Sequence, residues 1–110
     1  MEKIEYFNKE YSYIKDNKKR EDVKYLVNKL PDYFFEIPAS STGKYHPSFA
    51  SSENGLVKHT KVAVRIAKEL LDNPGLNNFK DNEKDIIIMA IIIYPKVDDK
   101  SGLKYVGFRI

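Results

Sequence analysis

The sequence predicts a mainly α-helical fold, on three observations. Apolar residues recur at three- and four-residue intervals in four separate stretches, the spacing that lines one face of a helix. Proline or glycine punctuates the ends of three of them, at Pro31, Pro74-Gly75 and Pro95. Alternation of the kind a strand requires is confined to the last few residues.

Ile4, Phe7, Tyr11 and Ile14 carry the first helix, over Ile4 to Asp16. Asp16, Asn17 and the basic run Lys18-Lys19-Arg20 then read as a polar break. Val23, Leu26, Val27 and Leu30 repeat the helical spacing until Pro31 stops it. Tyr33, Phe34, Phe35 and Ile37 form an aromatic cluster, bulky enough to be expected under the segment that follows. Residues Ala39 to Asn54 are rich in Ser, Gly and Pro and read as a long loop, a length uncommon without a binding or functional role.

Gly55 opens a third helix, in which Leu56, His59, Ala63, Ile66, Ala67 and Leu70 are expected on the core face and Lys58, Lys61, Arg65 and Lys68 elsewhere. Asp72, Asn73, Pro74 and Gly75 end it. Asn82 is the expected cap of a fourth helix, with Asp85 near its positive end. The run Ile86 to Ile93 is hydrophobic all round, which predicts burial on every side. After an Asp98-Asp99-Lys100-Ser101-Gly102 turn, Leu103, Tyr105, Phe108 and Ile110 suggest a short extended C-terminal tail.

Hydrophobic residues make up 42% of the 110 residues and charged residues 32%, ordinary values for a folded domain. A chain of this length fits one core. Cysteine is absent, which excludes disulfides, thiolate zinc sites and cysteine nucleophiles. The charged N-terminus does not resemble a signal peptide, and the apolar run at Ile86 to Tyr94 is about half what a membrane span needs. A cytoplasmic protein with no membrane partner is the expectation. The net charge of +3 permits an anionic partner without demanding one.

Chemistry concentrates in two segments. Pro38-Ala39-Ser40-Ser41-Thr42-Gly43-Lys44-Tyr45-His46-Pro47 precedes Gly55-Leu56-Val57-Lys58-His59-Thr60. This combination resembles HD-domain metal phosphohydrolases, in particular a bacterial 3′-to-5′ exoribonuclease branch and phage relatives. The acidic-apolar stretch Glu83 to Ile93 is similar to the family helix that delivers the His-Asp pair. The resemblance implies a small HD-like helical domain of about four helices, with residues 1–110 as a single truncated unit.

In that superfamily a His from the first motif helix, an adjacent His-Asp pair and a distant Asp hold one or two metals. Such metals lower the pKa of bound water and neutralise phosphate charge. His59 matches the first ligand, and His46 lies in the loop that could contact a metal or phosphate. Where the resemblance requires His-Asp, this sequence has Tyr94-Pro95. Protonated tyrosine is a poor ligand for a hard divalent ion, and proline has no side-chain donor. Residues 95–110 are also too few for the later family helices that bring the distal Asp.

Two function classes follow. The first is a non-catalytic HD-like module with no cofactor that works by binding a nucleotide, a nucleic acid or a protein, with a possible homodimer. Lys-, Asn- and Ile-rich composition suggests an A/T-rich coding genome, as in many phages. One form would be a phage-encoded inhibitor of a host nuclease or defence system, such as an anti-CRISPR protein. Lys44, Lys58, Lys61 and Arg65 would then form an anion-facing rim, and Tyr45 or Phe49 could stack on a base. The second is a divalent-metal phosphohydrolase acting on nucleic acid or nucleotides, with Asp98 or Asp99 joining His46 and His59. Each histidine also has a plain reading, His46 as an ordinary loop residue and His59 as a satisfied core residue. No phosphate-binding Gly-rich loop or serine elbow competes.

Overall fold

A computed structural model describes residues 2–36 and 54–93. The described residues are mainly helical and contain no strand, as the periodicity predicts. The elements are a 3-10 turn at Lys3–Phe7, α1 (Asn8–Tyr11), α2 (Asn17–Asn28), a 3-10 turn at Asp32–Phe35, α3 (Gly55–Leu71) and α4 (Asp81–Ile93). The chain divides into two compact units. One comprises Met1–Lys29 and Thr60–Ile93, the other Leu30–His59 and Tyr94–Ile110. The expected extended tail, residues 39–53 of the long loop, and Lys44, His46, Tyr94, Pro95, Asp98 and Asp99 lie outside the described residues.

In the first unit, the expected first helix is shorter than its apolar spacing suggests. Phe7, Tyr11 and Ile14 are buried as predicted, but α-helix persists for one turn only, to Tyr11. The reason lies across the unit. In a continuing helix the Lys15 and Asp16 N–H groups would bond back to the carbonyls of Tyr11 and Ser12. Instead they donate to the two carboxylate oxygens of Asp85, at 2.9 and 3.0 Å. The Ile14 carbonyl in turn accepts Arg20 Nη2 at 2.7 Å and Nε at 3.2 Å. Residues 14–16 therefore form a non-helical strap in which the Lys15 and Asp16 N–H groups and the Ile14 carbonyl are satisfied by side chains.

The strap hands over directly to α2, which corrects the expected polar break. Asp16 is its N-cap, its carboxylate accepting the Lys19 N–H at 2.9 Å, so Asn17 to Arg20 form the first helical turn. Val23 and Val27, four residues apart, are fully buried, while Leu26 faces outward at 40% exposure. Helix α2 packs against α4 and against the N-terminal 3-10 turn.

Helix α4 begins one residue before the expected cap. Lys80 precedes it, and the Glu83 carboxylate reaches back to accept the Lys80 N–H at 2.8 Å, half of a capping box. Burial on every side is not observed. Asp85, Ile88 and Ile92 face the core, whereas Ile86 is 52% exposed. An all-apolar run says nothing about which side is covered, and here the strap and α2 take one side.

Helix α3 starts at Gly55 and stops before Asp72 as read, but its core face differs. Leu56, Val57, Thr60, Val64 and Leu71 are buried, whereas Ile66 and Leu70, expected inside, are 57% and 52% exposed. With about 100° between successive residues, the buried face is rotated by roughly a quarter turn from the expected one. Beyond its C-terminus, Asn77 Nδ2 donates to the carbonyls of Leu70, Leu71 and Asn73, satisfying the last turn.

In the second unit, Phe34 and Phe35 are buried with their rings edge to face at 5.0 Å. The Asn54 N–H donates to the Glu36 carbonyl at 3.0 Å, so the two ends of the long intervening segment are joined. Asn54 holds a left-handed backbone (φ 64°), which asparagine tolerates better than most residues, and its carbonyl accepts the Lys58 N–H to start α3.

Candidate functional site

Of the sequence-derived site residues, four lie in the described part of the chain, all on α3. His59 is partly buried, and Lys58 beside it is exposed. Lys61 and Arg65 belong to the other unit and meet there on one carboxylate. Lys61 Nζ lies 2.8 Å from Glu10 Oε1, and Arg65 Nε lies 3.2 Å from Glu10 Oε2. Lys61 Nζ also donates to the Tyr6 carbonyl at 2.6 Å and lies 5.7 Å from the centre of the Phe7 ring.

Glu10 is fully buried, while Lys61 and Arg65 retain 28% and 49% side-chain exposure. A carboxylate withdrawn from water needs charge-assisted bonds to offset its lost hydration, and both of its oxygens have one. The two cations share this one carboxylate, so one net positive charge remains at a partly exposed position. Neither is a wholly free cation of the kind the rim requires, although about half of the Arg65 side chain stays accessible.

Glu10 was missed in the sequence. Its signal was legible in principle, since it falls between Phe7 and Tyr11 on the buried side of the first helical segment, where a carboxylate demands a counter-charge. Asp85 gives the same signal, three residues before Ile88 and seven before Ile92 on the buried line of α4. Beside Asp85, a cavity of about 30 Å³ is lined by Tyr13, Lys68, Leu71 and Asp81 among others, room for a water but far below the several hundred Å³ of a nucleotide site.

The Tyr11 hydroxyl is buried next to Glu10 and has no hydrogen-bond partner among the described residues. Burial pushes its phenol well above the ordinary tyrosine value, and the Glu10 carboxylate adds to that shift. It is therefore neutral over the physiological range and unfit as a base there.

For a divalent metal, the described residues contain no group of three or more His, Asp or Glu able to hold an ion. His59 alone among the expected ligands is described, and the described residues do not amount to a metal site. No described helix is long and apolar enough to cross a membrane. Comparison with known proteins returned no matching family model, no matching curated protein and no matching solved structure.

Proposed function

We propose that this chain is a non-catalytic HD-like module that works by binding a protein, in the form of a phage-encoded inhibitor of a host nuclease or defence system such as an anti-CRISPR protein. The observation that carries the choice of a protein over a nucleic acid is the capture of Lys61 and Arg65 by Glu10. Two of the four expected phosphate-facing cations share one carboxylate of the fold, which offsets one of their two charges and weakens the rim as an electrostatic surface. Nucleic-acid binders depend on several such contacts, because each released counterion adds to affinity. The non-catalytic reading is supported by Tyr94-Pro95 standing where the resemblance requires His-Asp.

The test has two arms. Incubated with single-stranded RNA, single-stranded DNA or a generic phosphodiester and manganese, magnesium, nickel or cobalt, the full chain is expected to release nothing. Titrated into defence nucleases at physiological salt, it is expected to reduce their cleavage through a complex whose affinity changes little with salt. Metal-dependent turnover that disappears in His59→Ala would replace this reading with the phosphohydrolase one, and draw Asp98 and Asp99 in as ligands.

A further inference from the structure

We draw no further inference here: the strongest candidate, the exposed apolar line of Val62, Ile66 and Leu70 on the outer face of α3, is an unpartnered helix face, and nothing in the structure shows what covers it.

Discussion

Glu10 sets the energetics at the scale of a single residue. It is fully buried, whereas its partners Lys61 and Arg65 reach solvent. Removing the carboxylate leaves two cations that water can still screen; removing both cations strands a buried charge. Lys61→Met combined with Arg65→Met is therefore expected to cost about 3–5 kcal/mol in urea unfolding. Glu10→Met should cost less than half as much, and adding it to the double variant should recover part of the loss. Equal losses from the two single-sided changes would remove the burial argument. Sequence reading assigns Lys61 and Arg65 to an anion-facing rim because they could border the His-bearing loop. Spacing carries no information about a carboxylate 51 and 55 residues away.

The elements were legible to different degrees. Helix α3 is readable at both ends because its signals are local: Gly55 at its start, Asp72 to Gly75 at its stop. The first helix is overextended because the residue that ends it, Asp85, lies in α4. Asp85→Ala would leave the Lys15 and Asp16 N–H groups without their acceptor. Bonds to a charged group contribute about 1.5–3 kcal/mol each, so a loss of about 3 kcal/mol or more is expected in urea unfolding. Hydrogen exchange should show lost protection at these two amides. By contrast Asp16→Ala removes one cap bond and should cost about 1 kcal/mol. Comparable effects of the two substitutions would mean that the strap contributes nothing beyond an ordinary cap.

At the scale of the whole molecule, the buried Tyr11 phenol gives stability a pH dependence. Its folded pKa is raised above the ordinary value near 10. Below that value folded and unfolded chains both keep the proton, and its contribution is intact. As pH rises further the unfolded chain releases the proton first, so stability falls until the folded phenol also ionises. The expected slope from this group is about 1.4 kcal/mol per pH unit. Urea unfolding between neutral and strongly alkaline pH should show a decline that Tyr11→Phe flattens, with little cost at neutral pH because the hydroxyl has no partner among the described residues. An unchanged alkaline decline in that variant would place its origin elsewhere. By itself the sequence determined that the described chain is helical, where α3 begins and ends, and that Phe7, Tyr11, Ile14, Val23 and Val27 are buried. These follow from preferences and spacings that act within one or two helical turns. Only tertiary structure decided which face of α3 is covered, where the first helix stops and what the cations of α3 hold. Those outcomes depend on Asp85 meeting Lys15 across 70 residues and Glu10 meeting Lys61 across 51, pairings that no local periodicity encodes.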